Sequence, residues 1–319
     1  MTLKTATTPA HESDPEPGRN KPKRHRAAQV QETRVDRIFM VGVYILLTTF
    51  LLIVLVPLIN ILASSFSSPA AVSGGRVLLW PVDFTLIGYE AVLSNQAILT
   101  GFGNSLFYAG VGTAVSVALT VMIAYPLSRS DLVGRRFLIG GVLFTMLFSG
   151  GLIPTYMVVR SLGLLDTRWA LILPTAIGAW QVLIAMTFFR STIPGELHEA
   201  AQLDGASDLR FLWSVVLPLS KPLLAVIALM YGIAQWNSYF NALIYLRSEE
   251  LYPLQLVLRN ILIVNNTAGT NIADQLAAEQ MADLMKFALI VVSTVPVLLV
   301  YPFVARHFNK GVMLGSVKG

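Results

Sequence analysis

Six uninterrupted apolar runs leave this chain little choice of fold, because each is long enough to cross about 30 Å of hydrocarbon at about 1.5 Å per residue. They cover residues 38–63, 106–127, 137–159, 171–189, 223–246 and 285–305. Lys286, at one end of the last run, is the only side chain within them that is charged at neutral pH. In hydrocarbon every backbone N–H and C=O must find its partner inside the protein, and runs of this length meet that demand as helices. The expected fold is therefore all-α, a polytopic membrane protein with six transmembrane helices. Composition agrees: 55% of residues are hydrophobic, 13% are charged, and mean hydropathy is +0.65, so apolar surface is meant for lipid.

An even number of spans puts both termini on one side, and the basic residues say which. Seventeen Lys and Arg fall before the first span, between the second and third, between the fourth and fifth, and after the sixth; five fall in the other three loops. The positive-inside rule then places both termini, and the loop over 190–222, in the cytoplasm. Residues 1–37, rich in Pro, Glu, Lys and Arg without hydrophobic periodicity, read as a disordered basic tail. Its Lys21–Arg26 cluster fits a topology anchor or a contact with anionic membrane lipid better than a nucleic-acid site. The first run is too long, and starts too far along, for a cleaved signal, so it is retained as a span. A transmembrane domain over 38–306 and a cytoplasmic C-terminal tail over 307–319 complete the expected organisation.

Several chemistries are excluded. There are no cysteines, and His11, His25, His198 and His307 lie outside the spans without forming a spaced pair, so no metal site, catalytic residue or cofactor is expected. No Gly-Lys dipeptide is present, so the chain has no phosphate-binding loop of the Walker kind. The spans hold no Asp, Glu or His to relay an ion, which argues against a secondary carrier. Two outer loops carry short amphipathic pieces: Thr85 is placed to cap a helix through Leu93, and Leu254–Val264 is too short to cross. Both read as surface elements.

The loop over 190–222 is polar and helix-forming between two spans. Pro194 suits the first turn of a helix and Gly205 its left-handed exit, giving a short helix over 195–204; Ser207 can cap a second over 208–216, stopped by Pro218 and Pro222. Two short helices at a turn make a knob. Ala200 and Ala201 keep its surface shallow, and Glu199 and Asp204 offer carboxylates to a partner. An interfacial helix with no partner is the alternative.

Glu199-Ala200-Ala201, three residues, Gly205, nine residues, then Val215-x-Leu217-Pro218 resembles the EAA loop of the membrane subunits of ATP-binding-cassette importers, with Val215 in place of the usual Ile. Phe148–Tyr156, Leu162–Thr167, Trp236–Asn241 and Gly311–Gly319 resemble the carbohydrate-importer permeases of the oligosaccharide branch. That resemblance implies the type I importer permease fold in a bacterial inner membrane. It implies that Glu199, Ala200, Ala201 and Gly205 couple to a cytoplasmic ATPase dimer; Asp204 is added by position as the neighbour of that glycine, and Leu217 and Pro218 as the closing residues of the motif. It further implies a homologous second permease subunit, an extracytoplasmic sugar-binding protein and a carbohydrate substrate.

For the substrate pathway, sugars present hydroxyls and weakly apolar C–H faces, so neutral amides and aromatic rings are the fitting partners. Gln235, Trp236, Asn237, Ser238, Tyr239 and Asn241 in the fifth span supply both, with Asn237 and Asn241 on one helix face; Trp180 and Gln181 in the fourth are further candidates. The competing account of these residues is hydrogen-bonded packing between helices.

Overall fold

A computed structural model describes the backbone of residues 34–264 and 272–315, and the side chains of 34–261 and 280–302. The expected basic tail through residue 33 and the last four residues lie outside the described residues. Among the described residues every regular element is helical. In chain order these are α1 (Arg34–Ser65), α2 (Pro69–Ser73), α3 (Ile87–Ser94), α4 (Gln96–Ser128), α5 (Arg135–Leu147), α6 (Leu152–Ser161), α7 (Trp169–Ile172) and α8 (Ala179–Thr192). There follow α9 (Gly195–Leu203), α10 (Asp208–Phe211), α11 (Leu217–Leu219), α12 (Lys221–Trp236), α13 (Tyr239–Tyr245), α14 (Leu254–Val264) and α15 (Ile272–Gly315). The chain divides into two units, residues 1–53 and 54–319; the first holds most of α1.

Among the described residues three helices are long and apolar enough to cross a membrane: α1, α4 and the Gln280–Pro302 stretch of α15. The other expected spans are broken. α5 and α6 meet at 114° across the Gly150-Gly151 pair, and Gly151 has φ +82, a conformation that a β-carbon disfavours. Nothing lies within 4 Å of where a Gly151 Cβ would sit, and one at Gly150 would meet only Pro154 Cβ at 3.7 Å, so these glycines mark the break. The segment Trp169–Thr175, whose 3-10 turn contains Pro174, meets α8 at 53°. The fifth run is not one helix either: α12 has 16 residues, about 24 Å of rise, and ends at Trp236 before α13 resumes at Tyr239. Counting each bent pair as one crossing gives up to six, with the fifth beginning upstream of its apolar run, where Asp208–Leu219 and α12 meet at 82°.

Helix α4 organises the rest. Its buried residues include Gly101, Ser105, Tyr108, Gly112, Ser116, Thr120 and Ala124, a nearly unbroken four-residue period of mostly small side chains. In lipid, apolar side chains gain little by leaving the bilayer for one another, so small residues that let backbones approach decide where helices meet. A Cβ at Gly112 would sit 3.0 Å from the Gln235 side chain of α12, and one at Gly101 would sit 3.3 Å from the Leu254 Cα of α14. Near the end of α4, Val121, Ala124, Tyr125 and Leu127 join Val182, Phe189, Phe211, Leu212, Val216, Leu223 and Ile227 in one buried cluster.

At the start of α4, polar side chains pin a distant loop. Asn104 Nδ2 donates to the carbonyls of Glu250 (2.6 Å) and Tyr252 (3.1 Å), the Tyr108 hydroxyl donates to that of Leu251 (2.9 Å), and Ser105 Oγ accepts from the Leu254 N–H (2.8 Å). Leu254, Leu256 and Val257 are consequently buried, which corrects the reading of α14 as a surface piece. α3 is likewise packed, with Gly88 and Val92 buried against α15.

Asp166, in the left-handed region at φ +58, clamps the same loop: its carboxylate accepts from the N–H groups of Arg247 and Ser248 at 2.9 Å each and from Ser248 Oγ at 2.6 Å. The Ser248 hydroxyl first, then the two backbone donors, holds this carboxyl below the ordinary range. A depressed carboxyl contributes stability above its unfolded pKa and loses it as pH falls through the folded value. Asp166→Ala should therefore speed hydrogen exchange of the Arg247 and Ser248 amides several-fold at neutral pH. Acidifying the unsubstituted protein should produce the same loosening.

Candidate functional site

The knob between α8 and α12 is closed by local chemistry. Pro194 takes the N-cap position of α9, one step outside the helix, with φ −61 and ψ 143. At the other end Gly205 N–H donates to the Gln202 carbonyl (3.0 Å) and Ala206 N–H to that of Ala201 (2.9 Å), with Gly205 at φ +74. These two bonds are a Schellman closure, which calls for glycine at the position after the C-cap, here Asp204. The spacing from Glu199-Ala200-Ala201 to Gly205 is thus the spacing from the last turn of a helix to its left-handed exit. Ser207 Oγ then accepts from the Arg210 N–H at 3.3 Å and starts α10.

Pro218 does not stop the second helix, contrary to the sequence reading. A π-helical turn over Leu212–Val216 connects α10 to α11, and the Leu217 N–H bonds five residues back to Leu212. Pro218 has no N–H to donate, and the ladder widens just before it, where Leu217 bonds to Leu212, so helix continues through the proline. The break comes at Ser220, and Pro222 falls in the first turn of α12.

Glu199, Ala200, Asp204, Gly205 and Pro218 are exposed, whereas Ala201 and Leu217 are half-buried and pack on the cluster of Phe189, Phe211 and Val216. Beneath α9 lies a cavity of about 390 Å³ lined in part by Tyr125, Arg129, Asp131, Phe189, Arg190 and Glu199. Arg129 reaches both Asp131 oxygens at 3.1 Å, and this pairing holds the Asp131 carboxyl below its usual range. Leu203, Leu209 and Trp213, missed by the sequence reading, stand 89%, 69% and 70% exposed on the knob. Exposed apolar side chains grouped in this way mark a contact with another protein or with the membrane surface. Their signal was available as apolar residues flanking the polar motif.

The second candidate site lies where α12 breaks. Gln235, Asn237, Ser238 and Asn241 line one cavity of about 270 Å³ together with Thr175, Tyr231 and Phe240, which the sequence reading did not single out. Gln235 is buried, donates through Nε2 to Thr175 Oγ1 (3.1 Å), and leaves Oε1 without a hydrogen bond among the described residues. The Tyr231 hydroxyl accepts from the Gly178 N–H (2.9 Å) and shares a hydrogen bond with Thr120 (2.8 Å), tying α12 to α4 and to the start of α8. Asn237 Nδ2 is spent on the Ile233 carbonyl and Ser238 Oγ on that of Gln235. Helical spacing therefore does not place Asn237 and Asn241 together; the break does.

The remaining candidates lie elsewhere. Trp236 is buried edge-to-face against Phe102 at 5.9 Å, in a cluster with Val92, Leu254 and Leu289. Tyr239 is 44% exposed and Trp180 55% exposed, and neither lines the polar cavity. Gln181 folds back over Gly178 into the space a Cβ would take. A larger cavity of about 550 Å³ is walled by Leu106, Ala109, Ala228, Leu229, Trp236 and Val297 and is mostly apolar, and the Thr113 hydroxyl in its wall is buried. The smaller polar cavity is the one whose chemistry suits a sugar.

No protein-family model matches the chain. Over 285 residues it is 45% identical to the polygalacturonan/rhamnogalacturonan transport system permease protein YtcP of Bacillus subtilis, covering 89% of this chain and 99% of that protein. Protein LplC of the same organism is 42% identical over 290 residues, 91% of this chain and 98% of LplC. Among solved structures, a chain of a bacterial ABC transporter involved in the import of the acidic polysaccharide alginate superposes with a TM-score of 0.81 at 39% identity, over 86% of this chain and 98% of that one.

Proposed function

This chain belongs to the permease subunits of carbohydrate ATP-binding-cassette importers, and from that premise we propose that its α9 knob seats the ATPase while the polar cavity at the α12–α13 break forms part of the oligosaccharide path. It is a membrane transport subunit and not an enzyme; the ATPase of such systems is a separate subunit. In this reading the knob faces the cytoplasm with both termini. A second permease subunit completes the pathway, and a binding protein delivers sugar from outside.

The observation that carries the coupling role is the Schellman-closed turn at Gly205, which leaves Glu199, Ala200 and Asp204 exposed beside Leu203. ATP-driven closure of the ATPase pair would push on this knob, and the continuous helix from Asp208 through Leu219 would carry the push to α12. The cavity at the break then changes its access. Carbohydrate as cargo is supported by the neutral donors and acceptors of Gln235, Asn237 and Asn241, and by the polygalacturonan/rhamnogalacturonan and alginate for which two of the relatives are named. Broken helices bring unpaired backbone and polar side chains to substrate sites in other transporters for the same physical reason.

Membrane vesicles containing the permease pair and binding protein should take up oligosaccharide only when the ATPase and ATP are supplied. Uptake at an equal rate without the ATPase would identify an ion-driven carrier instead.

A further inference from the structure

His198 is the only buried residue of α9, at 8% exposure, and the general motif that begins at Glu199 gives it no role. Its ring stands edge-on to Phe211 with centroids 5.1 Å apart, and its Nε2 lies 3.7 Å from Asp208 Oδ1 at the start of α10. Phe211 is 3% exposed and belongs to the cluster that joins Tyr125 of α4 and Phe189 of α8. One imidazole thus touches both helices of the knob and the aromatic floor beneath them. His198 and Phe211 themselves line the open 390 Å³ cavity beside α9, together with the exposed Gly195, Glu199 and Gln202, so the side chains of α9 that reach the buried cluster are His198 and the small Ala201. A push on such a helix reaches the core only through the side chains packed against it.

We propose that His198 is a positioning residue that transmits force from the docked ATPase into the transmembrane helices through Phe211. This rests on α9 being the docking element. A strut differs from a docking contact in what its removal changes: the ATPase still binds, but its stroke no longer reaches Phe211.

The test uses the complete transporter reconstituted in vesicles with its ATPase and binding protein. His198→Ala should leave the amount of co-purified ATPase and the thermal midpoint near those of the unsubstituted complex, while sugar imported per ATP hydrolysed falls about tenfold. His198→Phe, which keeps the ring contact with Phe211, should restore most of that ratio, and Phe211→Ala should reproduce the loss. An unchanged ratio in His198→Ala would overturn the proposal, as would loss of ATPase binding, which would make His198 part of the docking surface or of the fold. Gly205→Trp serves as the separate control. If it too leaves uptake intact, the docking role of α9 fails, whereas a Gly205 defect without a His198 defect removes only the strut.

Discussion

Gly205→Trp should reduce uptake and substrate-stimulated ATP hydrolysis by about 30-fold or more, while the subunit still folds and inserts. Two costs combine. At φ +74 a side chain strains the backbone by about 1–2 kcal/mol, and an indole on the knob's outer face keeps a partner surface from closing on it. Within the subunit there is room, because nothing lies within 4 Å of the Cβ position, so the fold need not suffer. Gly205→Ala separates the two effects. It carries the strain without the bulk and should lose only a few-fold; equal losses for Ala and Trp would mean that turn geometry alone matters. Uptake rates, together with ATPase co-purification, measure both.

The combined substitution Gln235→Leu and Asn241→Ala should raise the KM for sugar by about 10- to 30-fold with little change in protein yield. Gln235 and Asn241 line the same cavity; Gln235 Oε1 is buried without a hydrogen bond among the described residues, so a cargo hydroxyl would reach it only as the cavity opens, whereas Asn241 is partly exposed. Neutral hydrogen bonds of this kind each contribute about 0.5–1.5 kcal/mol, and two neighbours need not add. Asn237→Ala should have a smaller effect, since its Nδ2 already caps the Ile233 carbonyl. Trp236→Leu should instead lower stability, because that ring fills a packed cluster. If Asn241 tolerated alanine while Trp236→Leu changed sugar preference, the pathway would run along the other face of α12.

What was legible in the sequence is what local chemistry decides. Apolar run length gave an all-helical chain, and the step from Ala201 to Gly205 gave the turn between α9 and α10 because a Schellman closure involves only neighbours. Breaks inside the spans were harder to read. Asn237 and Ser238 look like members of a helical face, yet their side chains bond to the carbonyls of Ile233 and Gln235 and compete with continued helix. Pro218 looks like a stop, but a π-turn five residues long accommodates it. The burial of α14 could not be read locally, since Asn104 pins its approach from 146 residues away. The four-residue period of small side chains along α4 was available throughout and would have identified the central helix.

Because the chain has no cysteine, a single Ala200→Cys is its only thiol, and Ala200 is exposed. In cells carrying the assembled transporter, this thiol should cross-link to the ATPase subunit and resist a membrane-impermeant reagent applied from outside, whereas Trp80→Cys should behave in the opposite way. Labelling of Ala200→Cys from outside, or the absence of any cross-link to the ATPase in the assembled transporter, would contradict the account.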